Sequence, residues 1–218
     1  MEISENATDQ AGSFAYQNGR YTDGMDFSQT EPVKSAGNRH SRAMVIDAAA
    51  SVFARHGLAR TSLQSIADAT GYSKAGLIHH FASKQAIFDA TVDECRGELG
   101  RIIDRVLPVA QGDERDRYAI ELLVDLALTR PGLVTLIVSG STPLGADNGT
   151  PVFAAITDPL FRAFGVTPES SSPTRYIEVV GALAALSVLA LNAHQLDEVT
   201  AWRADIVRTS LAALGHCA

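Results

Sequence analysis

Cysteine is scarce in this sequence, where Cys95 and Cys217 are the only two among 218 residues. They lie far apart, and neither stands in a CxxC pair or at a Cys/His ligand spacing. Disulfide frameworks and structural zinc sites both require several closely spaced ligands. The sequence therefore excludes both, predicts a reducing compartment, and predicts neither a metal ion nor another cofactor.

Long apolar runs are also missing. The longest, residues 179–191, has 13 residues, whereas a membrane-spanning helix needs roughly 20. The N-terminus is acidic and polar, without the basic start and apolar stretch of a signal peptide. We therefore expect a soluble cytoplasmic protein with no membrane partner.

The motifs of common enzyme classes are absent as well. The sequence has no nucleophile elbow, Walker loop, zincin helix or pair of catalytic carboxylates. Ser139-Gly140-Ser141 lacks the flanking glycines that a nucleophile elbow requires. These absences argue against an enzyme.

Charge is distributed unevenly along the chain, whose net charge is −7. Residues 1–38 carry six acids and two bases, residues 39–84 carry six bases and two acids, and residues 85–218 carry seventeen acids and ten bases. The basic middle segment favours contact with phosphate. Residues 1–38 also lack sustained hydrophobic periodicity, which predicts a disordered N-terminal arm.

Residues 60–84 have the pattern of two short helices joined by a tight turn. Thr61 and Ser62 are possible N-caps of the first helix. Its apolar residues recur at the i, i+3, i+4 spacing of one helix face: Leu63, Ile66 and Ala67. Gly71 follows where the chain must turn, because glycine enters the left-handed region without steric penalty.

The second helix of this pair begins after Ser73, a further N-cap. Leu77 and Phe81 are expected to point inward, which leaves small and basic residues on the opposite side: Lys74, Ala75, Ile78 and His79. Such a surface suits a DNA major groove, where bulky side chains would hold the backbone away from the bases. The local pattern fits an ordinary pair of core helices equally well.

A helix from Ser41 to His56, ended by Gly57, precedes the pair and should brace it. Several fixed offsets then occur together: residues 42–57 (RAMVIDAAASVFARHG), followed by Thr61-Ser62, Ile66-Ala67, Gly71-Tyr72-Ser73, Leu77, His79-His80-Phe81 and Ser83-Lys84. With these offsets, about a fifth of the chain resembles the N-terminal domain of TetR-family transcriptional regulators.

The resemblance implies an all-α fold with a three-helix helix-turn-helix DNA-binding domain at residues 39–84. A larger helical domain at residues 85–218 would bind an effector and dimerise. The implied protein is a homodimer that binds a palindromic operator on double-stranded DNA and responds to a small-molecule effector. We expect the dimer interface in the last two helices, about residues 173–214, because the first of them is apolar nearly all round.

Carried over position by position, the resemblance places these residues against DNA: Thr61, Ser62, Gln64, Ser73, Lys74, Ala75, Gly76, Ile78, His79, His80 and Lys84. Gln64 and Lys74 have donors for base edges or phosphates. Thr61, Ser62 and Lys84 stand at helix starts, where phosphate is favoured. Lys84 is the leading candidate for a phosphate contact.

Two positions depart from the family pattern. Ile78 stands where a tyrosine commonly bonds a phosphate, and it would instead pack against a thymine methyl group or a deoxyribose. Gly76 lies inside the recognition helix, where it costs up to about 1 kcal/mol relative to alanine. Close approach of the backbone to DNA and packing against the preceding helix both explain it.

The adjacent His79 and His80 cannot form the i, i+4 pair of a helical metal site.

The remaining chain is predicted to form six helices, near residues 83–107, 113–128, 131–138, 152–164, 173–194 and 197–214. Residues 139–150 are rich in turn formers and predict a loop, either a surface connection or a mobile gate. Candidates for effector contact are mainly apolar: Leu122, Leu126, Ile137, Phe153, Ile156, Phe161 and Tyr176, with Tyr118, Asn192, His194 and Trp202 as polar groups. None indicates an effector class, so the ligand-binding residues stay unknown.

Together these features favour a ligand-responsive transcriptional repressor that leaves its operator when the effector binds. A dimeric ligand-binding protein without sequence-specific DNA recognition is the alternative, motivated by Ile78 and the acidic net charge. An enzyme is a third and less favoured class.

Overall fold

A computed structural model of the chain describes residues 32–141, 151–167 and 172–216. Within these ranges the protein is built from helices and turns without a strand, which confirms the predicted all-α fold. The helices are α1 (Pro32–Arg60), α2 (Leu63–Thr70), α3 (Lys74–His80), α4 (Lys84–Val106), α5 (Asp113–Thr129), α6 (Pro131–Ser141), α7 (Pro151–Ala163), α8 (Pro173–Gln195) and α9 (Val199–Ala213).

Helix α1 begins earlier than the sequence pattern predicts. It starts at Pro32, not near Ser41, so the prediction that a disordered arm extends to residue 38 is wrong for residues 32–38. Proline suits the first turn of a helix because its fixed φ is helical and its missing N–H has no partner there. Gly57 breaks the helix as predicted, with φ 69° and ψ 163°. Residues 1–31 of the predicted arm lie outside the described residues.

The bounds of the C-terminal helices agree closely with the predicted ones, except that α6 continues to Ser141 and not to residue 138. Ser139, assigned to a loop from its turn propensity, donates its hydroxyl to the Thr135 carbonyl at 2.6 Å. A Cβ on Gly140 would lie 2.4 Å from the Phe153 ring. Packing of α7 against α6 therefore favours another helical turn over the local preference. Residues 142–150 of the predicted loop lie outside the described residues.

One hydrophobic cluster runs through the N-terminal and C-terminal helices. It includes Phe53 of α1, Leu77 of α3, Ile87 of α4, Ile120 of α5 and Ile206 of α9, all at most 1% exposed. Each such side chain contributes about 1.5–3 kcal/mol by leaving water. Helix α1 packs against α2, α4 and α6, and α8 packs against α5, α6 and α9.

A polar clamp fixes the start of α6 to α1. The Asp47 carboxylate accepts hydrogen bonds from the backbone N–H groups of Gly132 at 3.1 Å and Leu133 at 3.0 Å. Arg130 donates to Glu94 at 3.1 Å and to the Ala43 carbonyl at 3.4 Å. Because the first N–H groups of a helix lack partners within it, Asp47 acts as an N-cap supplied by another element.

Helix α8 is long and apolar enough to cross a membrane by length and composition, with a mean hydropathy of 1.8 over its most apolar window. The apolar run of 13 residues counted in the sequence is only part of this helix, which has 23 residues. About a third of that window (33%) is buried inside the chain, against α5, α6 and α9. The mostly buried core helix of a soluble protein passes the same test, so length and composition are weak evidence for a membrane span.

Candidate DNA interface and effector cavity

Helices α2 and α3 form the two helices of the predicted helix-turn-helix. The Ser62 hydroxyl accepts a hydrogen bond from the Ser65 N–H at 3.0 Å, and the Ser65 hydroxyl accepts one from the Ser62 N–H at 3.1 Å. This reciprocal pair is a capping box in which serine replaces the usual glutamate. Gly71 then ends α2 in the left-handed conformation with φ 70°, as the sequence predicts.

Helix α3 separates an inward side from an outward one. Leu77 and Phe81 are buried as predicted, and the Ser73 hydroxyl caps the helix by accepting from the Gly76 N–H at 3.0 Å. Exposed side chains form the outward surface of α3: Lys74, Ala75, Ile78, His79 and His80. Ile78 is 48% exposed, so this surface carries one large apolar side chain among small and basic ones.

Gly76 is explained by its own cap and not by the preceding helix. A Cβ at this position would lie 3.2 Å from the Ser73 hydroxyl oxygen and 3.5 Å from the Tyr72 ring. The hydroxyl that caps α3 therefore occupies the space where a side chain would begin.

The two adjacent histidines differ in their surroundings. The His80 ring meets the Tyr72 ring edge to face, with centroids 6.0 Å apart, and it also contacts the His79 ring at 5.6 Å. Both histidines are exposed, and His80 alone also contacts the Tyr72 ring. Among the described residues, no group of three or more His, Cys, Asp or Glu side chains is placed to hold a metal ion.

The hydroxyl of Thr61 lies inside the protein. Thr61 is 3% exposed, and its hydroxyl donates to the Gly57 carbonyl at 2.7 Å. Its expected role as a phosphate contact is corrected, because a buried hydroxyl whose hydrogen is already bonded cannot reach DNA.

Lys84 also turns away from the predicted interface. Its ammonium donates to the carbonyls of Leu58 at 2.7 Å, Thr61 at 2.7 Å and Ala59 at 3.4 Å. An ammonium has three hydrogens, and all three are used by the end of α1. The expectation that Lys84 is the leading phosphate contact is therefore corrected: it closes the C-terminus of α1, where a cation is favoured by the helix dipole.

Gln64 and Lys74 are both exposed, and they differ in whether another side chain already accepts a hydrogen bond from them. The Gln64 amide donates to Asp68 one turn further along α2, at 2.8 Å. Lys74 stands at the first position of α3 and makes neither a hydrogen bond nor an ion pair with the described residues. Arg42, the first residue of the segment 42–57 that carries the family resemblance, lies over the Phe81 ring at 4.7 Å, beside the end of α3.

A cavity of about 200 Å³ lies in the C-terminal half. Its walls come from five helices: Leu99 of α4; Leu123 and Leu126 of α5; Val134, Ile137 and Val138 of α6; Thr157, Leu160 and Phe161 of α7; and Tyr176, Val180, Leu183, Ala184, Leu186 and Ser187 of α8. The Phe161 and Tyr176 rings stack with centroids 5.8 Å apart. Tyr176 and Val180 are also exposed, so the cavity opens beside α8.

Four of the residues suggested from sequence line this cavity: Leu126, Ile137, Phe161 and Tyr176. The other seven do not: Leu122, Phe153, Ile156, Tyr118, Asn192, His194 and Trp202. Sequence reasoning missed Thr157 and Ser187, which are 6% and 5% exposed. A hydroxyl on an otherwise apolar helix face is the signal that could have found them.

Comparison with known proteins supports this architecture. Residues 45–91 match the family described as bacterial regulatory proteins, tetR family. The HTH-type transcriptional repressor KstR2 of Rhodococcus jostii (strain RHA1) is 32% identical over 90 residues, which cover 41% of this chain and 43% of that repressor. The chain thus matches less than half the length of this curated relative.

Two solved structures have a similar fold over most of the chain. A TetR-like transcriptional regulator from Rhodococcus sp. RHA1 has a TM-score of 0.50 and 18% identity, covering 81% of this chain and 97% of that one. A TetR family transcription regulator from Marinobacter aquaeolei VT8 has a TM-score of 0.50 and 16% identity, covering 82% and 97%. Residues 45–91 thus match the helix-turn-helix domain of the tetR family of bacterial regulatory proteins, and the chain has an all-α fold similar to that of solved TetR-like regulators.

Proposed function

We propose that this protein is a ligand-responsive transcriptional repressor that binds a palindromic operator as a homodimer and is released by a small-molecule effector. The outward surface of α3 carries the proposal: an unpaired cation, a small residue and an exposed apolar side chain stand on one side of a capped recognition helix. The similarity over 90 residues to a transcriptional repressor supports repression as the direction of regulation. Acting on DNA places the protein in the cytoplasm.

Each exposed residue of α3 has a chemical role at a base edge or backbone. Lys74 is free to donate to a guanine edge or a phosphate, and Ala75 lets the backbone approach the groove. Ile78 would cover its exposed surface by packing on a thymine methyl group or deoxyribose. Ser62, Gln64, Ser73, Gly76, His79 and His80 remain proposed DNA-facing positions. The roles of Ser62 and Ser73 pass through the helix starts that they cap.

The homodimer is proposed to form through residues 173–214. Helix α8 exposes four large apolar side chains, Tyr176, Ile177, Val180 and Val188, and an apolar surface of this kind marks an interaction site. Among the small residues of α8, Ala182, Ser187 and Ala190 are buried within the chain, whereas Gly181 and Ala184 are exposed, Ala184 at the edge of the cavity. The exposed ones would let a second α8 approach closely.

The effector is proposed to bind in the cavity between α4 and α8. Three cavity residues belong to α6, whose start is clamped to α1 through Asp47. An effector that binds more tightly to one arrangement of these helices shifts the dimer toward it, and the shift is limited by that difference in affinity. The two recognition helices would then no longer match successive major grooves, about 34–36 Å apart. We assign residues 39–84 to DNA binding and residues 85–218 to effector binding and dimerisation, with no catalytic role.

Titration of labelled DNA tests the DNA-binding part of the proposal. The full chain is expected to bind DNA from upstream of its own gene saturably and more tightly than random DNA of equal length. Replacing Lys74 by alanine removes one cation from each protomer, so it should weaken binding and make the plot of log K against log salt shallower by about two units for the dimer. Arg117→Ala is the matched control, because it removes the same charge from an exposed position on α5.

One alternative function follows from Ile78, which cannot donate a hydrogen bond to phosphate. If it leaves the domain without sequence preference, the protein is a dimeric ligand-binding protein. Equal affinity for upstream and random DNA, with no effect of Lys74→Ala, would favour that alternative and reject the repressor.

A further inference from the structure

The cavity is walled without a single charged side chain, and this feature points to the chemistry of its ligand. Its fifteen lining residues include no Lys, Arg, His, Asp or Glu, and their polar side chains are limited to Thr157, Tyr176 and Ser187. We propose that the effector is a neutral, mainly apolar molecule that carries one hydrogen-bond donor, such as a hydroxyl group. The inference rests on the proposed effector-binding role and specifies the ligand class.

The absence of charge disfavours acids and amines. Burying an ionised carboxylate or ammonium is costly unless a partner of opposite charge or several hydrogen bonds compensate. Arg175, which precedes the lining residue Tyr176 in the chain, is held by Asp116 and by the carbonyls of Phe164 and Leu214. A charged ligand group placed inside the cavity, away from its opening beside α8, would therefore lose its hydration without gaining a partner.

The two buried hydroxyls determine which polar group fits. Thr157 donates its hydroxyl hydrogen to the Phe153 carbonyl at 3.0 Å, and Ser187 donates to the Leu183 carbonyl at 2.7 Å. A carbonyl oxygen can only accept, so each hydroxyl hydrogen is used within its own helix. The lone pairs of both hydroxyl oxygens remain available to a ligand. These two oxygens can accept from a ligand O–H or N–H, and they offer no hydrogen to an ether or ketone oxygen. The donor in the lining is the Tyr176 hydroxyl, on a side chain that is 52% exposed where the cavity opens.

The cavity volume limits the ligand size. An apolar cavity of about 150 Å³ holds benzene, and protein interiors pack at a density near 0.75. The observed cavity of about 200 Å³ therefore suits roughly ten non-hydrogen atoms. A straight-chain alcohol of nine carbons is a suitable probe.

Calorimetric titration of the full chain with 1-nonanol, 1-methoxyoctane and nonanoate tests the class directly. The first two have the same number of non-hydrogen atoms, and only the alcohol has a donor. The alcohol is expected to bind about five- to tenfold more tightly than the ether, as one added hydrogen bond implies. Nonanoate at pH 7.5 should show no saturable binding. Stronger binding of nonanoate than of 1-nonanol, or equal binding of alcohol and ether, would overturn the proposal.

Paired variants assign the preference to the cavity. Thr157→Val with Ser187→Ala removes both oxygens and should abolish the difference between alcohol and ether while apolar binding remains. Thr91→Val with Ser210→Ala is the matched control, because these buried hydroxyls also bond their own helices but do not line the cavity. A preference that survives the first pair would refute the assigned site.

The outcome is separable from that of the proposed function, since the titration contains no DNA. Failure of all three probes to bind, in a protein that recognises its upstream DNA, rejects the ligand class and leaves the repressor standing. Binding of 1-nonanol by a protein without DNA preference rejects the repressor and supports the ligand class.

Discussion

Lys84 is a basic residue at a position expected to contact DNA phosphate, but its hydrogen bonds stabilise the fold instead. Its ammonium contacts three carbonyls at the end of α1, so it joins α1 to the start of α4. A sequence motif places the charge near DNA, but it does not reveal carbonyls from residues 58–61 that compete for the same three hydrogens. The same physical limit applies to Thr61, whose hydroxyl is bonded to Gly57.

We predict that Lys84→Met destabilises the protein more than it weakens DNA binding. Methionine keeps most of the apolar stem and removes the donors, which should lower the free energy of unfolding by about 1–3 kcal/mol. Urea unfolding measures this change, and DNA titration at several salt concentrations measures the phosphate contribution. Unchanged stability with a shallower salt slope would instead restore Lys84 as a phosphate contact.

Cys95 should be unreactive in the folded protein. Burial raises the pKa of its thiol from 9.0 to about 12, and the thiolate is the reactive form. In a Cys217→Ser background at pH 8, labelling by a disulfide reagent should be about a thousandfold slower than in urea, since each pKa unit changes the thiolate fraction tenfold. Rapid labelling of the folded protein would show that α4 and α6 separate readily around this residue.

The same thiol should make stability fall at alkaline pH. Below pH 9 both states keep the proton, and between pH 9 and about 12 the unfolded chain loses it first, which favours unfolding. The difference in unfolding free energy between the Cys217→Ser protein and its Cys95→Ala derivative should therefore decrease as pH rises through this window. A difference independent of pH would contradict the raised pKa.

At the scale of helices, most boundaries were predictable because their signals are local. Ser62, Ser73 and Gly71 act through neighbouring backbone groups, and their roles are as the sequence suggests. The starts and ends that depend on another element were not predictable. Helix α6 is extended by Phe153, and its start is capped by Asp47, 85 residues earlier in the chain. The cavity was only partly predictable, because its lining depends on which faces of five helices meet.

The close contact between α1 and α6 gives a prediction about glycine. A Cβ on Gly132 would lie 1.9 Å from the Asp47 carbonyl oxygen, a backbone atom that cannot rotate away. Gly132→Ala should therefore destabilise the protein by about 3 kcal/mol or more. Gly100→Ala on α4 is the control, since nothing lies within 4 Å of its Cβ, and it should stabilise by up to about 1 kcal/mol. Urea unfolding of both variants checks the contrast, and similar effects of the two would disprove the contact.

At the scale of the whole molecule, the outward side of α8 is expected to hold two chains together. Ile177 is 67% exposed and makes little contribution to the fold of one chain. Ile177→Glu should leave the helical circular dichroism unchanged and shift the sedimentation mass from dimer to monomer, because a carboxylate would be buried at the interface. Operator affinity should fall with it, since a monomer reads only one half-site.

Leu107→Glu is the control for this variant, because it introduces the same charge at a 47% exposed apolar residue at the end of α4. It should remain dimeric. A dimer that persists in Ile177→Glu would place the interface elsewhere on the molecule.

The clamp between Asp47 and the start of α6 has a consequence for building hybrid regulators. A hybrid that joins residues 1–84 to a foreign effector domain keeps the carboxylate of Asp47 but loses the N–H groups of Gly132 and Leu133 that it caps. It also removes Arg130 from the carboxylate of Asp47. A transferable DNA-reading unit should therefore include the beginning of α6 as well, even though 46 residues separate it from the end of the helix-turn-helix segment in the chain.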